Sequence, residues 1–130
     1  MFVLDTNILI YYFKGIGRVA EKMLAQPPGE IGIPAIVLYE LQVGIAKASA
    51  PKKRKGQLNS LIEIVRILPF GAAEATSAAF IRADLEKKGK PLGPYDTLIA
   101  ATALAGNSTL VSHNTKEFKR VSKLKLVDWF

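Results

Sequence analysis

The sequence predicts an α/β fold, a parallel sheet covered by helices on both faces. Short apolar runs with strand character alternate with longer segments of helical spacing, the pattern of β-α-β crossovers. The chain has 130 residues and is 49% apolar, enough for one hydrophobic core. It carries no internal repeat, low-complexity tract or interdomain linker, so residues 1–130 are expected to form a single domain.

The elements follow in order. Phe2 to Leu4 is a short apolar run bounded by Asp-Thr-Asn, which reads as a buried strand followed by a helix start. Ile8 to Lys14 forms the first helix, and Gly15 and Gly17 break it. Arg18 to Gln26 places Val19, Met23 and Leu24 on one side of a second helix, closed by Pro27-Pro-Gly. Ile31-Gly-Ile is the second strand. Pro34 suits the first turn of a helix, in which Ile36, Val37, Leu41, Ile45 and Ala48 recur at a spacing near 3.6. Lys52 to Val65 is amphipathic, with Leu58, Leu61, Ile62 and Val65 inward, and leads to a strand over Ile67 to Phe70. A helix from Ala72 to Lys88 ends in a Gly- and Pro-rich loop, and Pro94 begins another that runs through Ala105. Thr109 to Ser112 is a strand, Asn114 to Val121 a short helix, and Leu124 to Trp129 a terminal strand.

Composition narrows the chemistry. There is no cysteine, which excludes disulfides, thiolate zinc sites and cysteine nucleophiles. Lys and Arg total 18 against 11 acids, a formal charge of +7 that favours polyanionic partners through counterion release. The N-terminus lacks a basic region before its interrupted apolar stretch, and no apolar run approaches the roughly 18 residues of a membrane span. A cytoplasmic protein without a membrane partner is therefore expected.

Against that basic background, acidic and amide side chains stand at the mouths of apolar segments. Asp5 ends the first strand, Glu40 lies within Ile36-Val-Leu-Tyr-Glu-Leu, and Asp96 opens a helix that is small or apolar nearly all round. Carboxylates are rarely buried without a partner, and a divalent cation is one such partner. In a parallel sheet, ligands sit beyond the carboxyl ends of the strands, a position shared by Asp5 and Asn114. Each residue also has a structural reading. Asp5 before an apolar helix is a good N-cap, Asp96 in a first turn is favoured by the helix dipole, and Asn114 with Glu117 has the spacing of a capping box. Glu40 is hardest to explain by capping, because its neighbours one turn away include Ile36, Val37 and Gly44. Gly44 leaves room beside it, and Ser112 is a hydrogen-bond partner for the cluster.

The remaining candidates are weaker. The only histidine, His113, adjoins the cleft, but a lone histidine is more often a satisfied side chain than a base. No Gly-x-Ser-x-Gly elbow and no phosphate-binding Gly-x-x-x-x-Gly-Lys loop occurs. Lys52-Lys-Arg-Lys reads as a solvated helix start. Lys87, Lys88, Lys90, Lys116, Lys119 and Arg120 lie nearer the acidic positions and are better placed for phosphate contacts. Tyr95 beside Asp96 could either stack on an unpaired base or pack internally.

Four motifs in order resemble one family: Leu4-Asp-Thr-Asn-Ile-Leu-Ile, Tyr39-Glu-Leu-x-x-Gly, Gly93-x-x-Asp-x-Leu-Ile-Ala-Ala and Leu110-Val-Ser-x-Asn-x-x-Glu-Phe. Together, and across essentially the whole chain, they are similar to the PIN-domain ribonucleases, specifically the VapC-type toxins of type II toxin–antitoxin systems. The resemblance implies a three-layer α/β/α sandwich with a central parallel sheet and an endoribonuclease dependent on Mg²⁺ or Mn²⁺. It also implies RNA as substrate, a small cognate antitoxin as partner, and a homodimer. Asp5, Glu40 and Asp96 match the family's acidic metal-binding positions. Asn114 departs from relatives that carry Asp there, and Glu117 matches a further, less regular acidic position.

The expected reaction is hydrolysis of an RNA phosphodiester by a metal-activated water. Two rivals stand beside it. An Asp-nucleophile phosphohydrolase would use Asp5 but normally wants a second Asp where Asn7 stands. A catalytically silent RNA-binding or assembly module of the same fold needs only the basic charge. By the family, the antitoxin would cover the cleft near Tyr11, Tyr12 and Phe13, a triplet that core packing also explains.

Overall fold

All five expected strands form and all run parallel in a computed structural model that describes residues 1–130. They are β1 (Phe2–Leu4), β2 (Ile31–Pro34), β3 (Arg66–Leu68), β4 (Thr109–Val111) and β5 (Lys125–Val127). The sheet order is β3-β2-β1-β4-β5. Successive connections therefore step outward from β1 to β3, then cross back to β4. Because such crossovers are right-handed, the helices before and after β3 lie on opposite faces. The expected α/β/α layering results.

The helices are α1 (Thr6–Lys14), α2 (Val19–Leu24), α3 (Ala35–Lys47), α4 (Lys52–Ile62), α5 (Ala72–Lys87), α6 (Pro94–Ala105) and α7 (Thr115–Phe118). Several ends differ from the sequence-based limits, each for a local reason. Helix α1 begins two residues early, because Asp5 caps it by accepting the Ile8 amide at 2.9 Å. Pro34 is the last residue of β2, in extended backbone, and α3 starts after it. Helix α4 stops at Ile62, which frees Arg66 to pair with Gly32 in the ladder. Helix α7 ends at Phe118, where a turn with Lys123 in left-handed backbone leads to β5.

The core confirms the buried-sheet reading. Val3, Leu4, Ile33, Leu110 and Val111 on the central strands have no exposed surface. Ile8 and Leu9 of α1, Val37 of α3 and Ala100 and Ala101 of α6 are equally enclosed. Continuous apolar strands are required here, since both faces are covered. Gly32 in β2 lies so close to Leu68 that a Cβ there would approach its Cδ1 to 2.7 Å.

Phe118 is among the largest fully enclosed side chains, and it is what anchors the short α7. Truncation to alanine would leave a cavity that a four-residue helix cannot rebuild. We expect Phe118→Ala to cost about 3–5 kcal/mol in urea unfolding.

Candidate active site

Strand order reverses at β1, whose neighbours β2 and β4 are connected in opposite directions, so a crevice opens beyond the carboxyl ends of β1 and β4. Asp5 leaves β1 at its floor. Its backbone amide donates to the Val111 carbonyl at 3.2 Å, which ties the ends of the two strands together. The side chain is only 6% exposed. Burial pushes its carboxyl up to about 6 from the usual 3.8. The Ser112 hydroxyl and the Ile8 amide pull it down, and the negative charges of Asp96 and Glu40 push it further up.

The other acids reach the crevice from separate helices. Glu40 projects from α3 and accepts a hydrogen bond from the Thr6 hydroxyl at 2.7 Å. Asp96 stands in the first turn of α6, where the N-cap is Gly93 and no side chain caps the helix. Its carboxyl is raised by burial first, then by the charges of Glu117 and Glu40. Asp5 thus lies in the field of Asp96 and Glu40, and Asp96 in that of Glu117 and Glu40, a chain of neighbouring negative charges. None of the four forms an ion pair with any Lys, Arg or His, although the chain carries a surplus of seven positive charges.

Asn114 does not act as the cap that its spacing with Glu117 suggests. It occupies the N-cap position of α7, but its side chain makes no cap bond and instead donates to Glu117 Oε2 at 2.8 Å. The Ser112 hydroxyl takes over locally by accepting the Asn114 amide at 3.0 Å. Ser112 is fully buried, as a partner beneath the cluster should be.

The donor chemistry fits a hard divalent cation. Every candidate ligand is a carboxylate or amide oxygen, the set that Mg²⁺, Mn²⁺ and Ca²⁺ prefer over softer metals. No three of the acidic groups close to the spacing of an assembled metal site. Two are held by neutral local donors, Glu40 by Thr6 and Glu117 by Asn114. Those bonds orient the carboxylates without neutralising them, so the cluster keeps the charge a cation would balance.

His113 lies outside this arrangement. Its Nδ1 is 2.8 Å from Asp128 Oδ2, its ring stacks on Phe130 with centroids 4.1 Å apart, and Tyr11 meets it edge-on. It is a satisfied side chain between the ends of β4 and β5. Tyr95 packs against Tyr39, with the hydroxyls 3.5 Å apart and both rings nearly half exposed. Among the basic candidates, Lys88 pairs with Asp84 and Arg120 donates to the Pro91 carbonyl.

The PIN domain family matches residues 2–124, nearly the entire chain. This chain belongs to the PIN-domain family. Over 98% of its length this PIN domain is 34% identical to the tRNA(fMet)-specific endonuclease VapC of Shigella flexneri, covering 97% of that protein. It is 34% identical to ribonuclease VapC2 of Rickettsia felis, over 99% of this chain and 98% of the relative. Among solved structures, VapBC2 from Rickettsia felis bound to a DNA fragment from their promoter superimposes with a TM-score of 0.92 at 34% identity, covering 99% of this chain and 98% of that one. DNA-bound VapBC from Salmonella typhimurium gives 0.92 at 32% identity, with the same coverage. The expectation of a PIN-type ribonuclease of the toxin–antitoxin kind is thereby met.

Two residues near the site were not singled out from the sequence. Thr6 follows Asp5 in a helix-start signal, and nothing local says that its hydroxyl crosses to α3. Arg54 lies in the Lys52-Lys-Arg-Lys run, whose composition suggests a solvated helix start, yet its guanidinium lies 4.9 Å over the Phe13 ring. No helix of the protein is long and apolar enough to cross a membrane.

Proposed function

We propose that this PIN domain is an endoribonuclease dependent on Mg²⁺, with Mn²⁺ as the alternative, and that Asp5, Glu40 and Asp96 hold the cation. Asn114 and Glu117 stand at its edge as weaker contributors. The observation that carries this reading is the cluster of carboxylates without a cationic partner, set at the switch point of a basic chain. When bound, the cation lowers the pKa of a water and stabilises charge on the phosphoryl oxygens.

The chain's own residues supply the rest. Asp5 is oriented by the Ile8 amide and by the neighbouring Ser112 hydroxyl. Thr6 orients Glu40, and Ser112 sets the start of the segment that carries Asn114 and Glu117. The burial of Asp5 keeps bulk water from its carboxylate, which strengthens its electrostatic contacts. Exposed Lys116 and Lys119 on and beside α7 are available for the RNA backbone.

The decisive assay is cleavage of total RNA with and without Mg²⁺, with product ends mapped. Cleavage is expected only with the metal, leaving a 5′-phosphate and a 3′-hydroxyl. Undiminished cleavage in excess EDTA would sink the mechanism. RNA binding without any cleavage would instead favour the silent module.

The biological setting is part of the proposal. The VapBC complexes among the structural neighbours support a small cognate antitoxin as partner; a cytoplasmic location and a homodimer complete the proposal as what membership of the family implies.

A further inference from the structure

A cavity of about 550 Å³ opens between α1, α3 and α4. Phe13 and Lys14 of α1, Glu40 and Gly44 of α3, and Arg54 and Gln57 of α4 form its working walls, with Lys53 also lining it. Glu40 belongs both to this cavity and to the acidic cluster, so the two spaces adjoin.

Arg54 Nη1 and Gln57 Oε1 are the two buried side-chain polar atoms of the chain that lack a hydrogen-bond partner. An orphaned donor and an orphaned acceptor each carry a desolvation cost, which a suitable ligand would relieve. The guanidinium is already fixed over Phe13, so little of its freedom remains to be lost. Lys14, Lys53 and Arg54 outnumber the single Glu40, which favours an anionic occupant. Half of the lining is apolar and suits the flat face of a base or ribose.

We propose that this cavity is a subsite for one nucleotide of the RNA substrate. Arg54 and Lys53 contact its phosphate, and Gln57 accepts a hydrogen bond from its base or its 2′-hydroxyl. Continuity with the acidic cluster favours RNA over a protein segment, because a strand crossing the carboxylates at Glu40 runs directly into the cavity. The inference rests on the ribonuclease reading, and its test keeps the two apart.

The test is equilibrium binding of a short single-stranded RNA to the Asp96→Asn protein, compared with the same protein carrying Arg54→Met, Gln57→Leu or Gly44→Leu. Methionine keeps an unbranched stem beside Phe13. A Cβ on Gly44 meets no atom within 4 Å, so leucine there enters open space rather than the core. Arg54→Met should weaken binding about tenfold, the scale of one charge-assisted hydrogen bond, and Gly44→Leu should weaken it comparably. With Asp96 restored, both should raise KM far more than they alter kcat, while thermal melts stay close to the parent.

A DNA strand of the same sequence identifies the donor to Gln57. Loss of the Gln57→Leu effect on DNA assigns the 2′-hydroxyl, and its retention assigns the base. Unchanged RNA affinity and KM in folded Arg54→Met and Gly44→Leu proteins overturn the subsite. If those variants instead lose only a co-expressed protein partner, the cavity belongs to that protein and the proposal falls. Absence of cleavage by the unaltered protein defeats the ribonuclease reading alone, since binding in the Asp96→Asn background still reports on the cavity.

Discussion

Asp96→Asn is expected to reduce RNA cleavage by at least ~10²-fold while leaving the protein folded, the scale seen when one preorganised electrostatic contact is removed from a reaction centre. The substitution keeps shape and removes charge. Asp96 caps nothing, since α6 starts from Gly93 without a side-chain cap, so no helix bond is lost with the charge. Its carboxyl is raised by burial and by Glu117 and Glu40, so the neutral amide relieves repulsion rather than breaking a bond. A structural role predicts lower stability, whereas a cation-holding role predicts lost activity at unchanged or greater stability. Single-turnover cleavage in Mg²⁺ and urea unfolding in EDTA, run on the same preparations, separate these. Retained cleavage with reduced stability would return Asp96 to the structural reading.

The second large effect concerns Asp5 and has the opposite sign to ordinary core mutation. In metal-free protein, Asp5→Asn should stabilise the fold at pH 7 by up to about 3 kcal/mol, the value of moving a carboxyl from 3.8 to about 6. Between those two values the native state binds a proton that the unfolded chain does not. Stability contributed by this group is therefore present below about pH 4 and falls as pH rises through 6. Asparagine removes that slope and still accepts the Ile8 amide, because it is as good an N-cap as aspartate. Asp96, also raised, adds a slope of the same sign in both proteins. Urea midpoints in EDTA at pH 4.5 and 7.5 should converge for Asp5→Asn relative to the parent, and identical slopes would refute the burial argument. A bound cation should reverse the order, since it stabilises only the parent's carboxylate.

These two residues show how much of the site could be read without a structure. Asp5 is legible because it interrupts an apolar run at a strand's end, and the structure makes it both the cap of α1 and a buried carboxylate tied to the end of β4. Asp96 is legible because the helix behind it is apolar nearly all round; Gly93 holds the N-cap position, and Asp96 keeps the first-turn place that the helix dipole favours. The capping-box reading of Asn114 and Glu117 had the right spacing and the wrong bond. Four residues of helix leave the amide free to meet the Glu117 side chain instead of the backbone. A run of basic residues at a helix start gives no sign that Arg54 meets an aromatic ring, because α4 belongs to the crossover after the one that carries Phe13 in α1.

Periodicity and punctuation alone determined the order of strands and helices, their parallel arrangement and the carboxyl-end placement of Asp5 and Asn114. Those are local properties: side-chain period follows backbone geometry, and a β-α-β order permits little except a parallel sheet. Only the tertiary structure decided that Asp5, Glu40, Asp96 and Glu117 share one electrostatic neighbourhood, that His113 turns to Asp128, and that Arg54 and Gln57 face a cavity with bonds unmade. Distances across helix contacts depend on how whole elements pack, and no spacing along the chain encodes them.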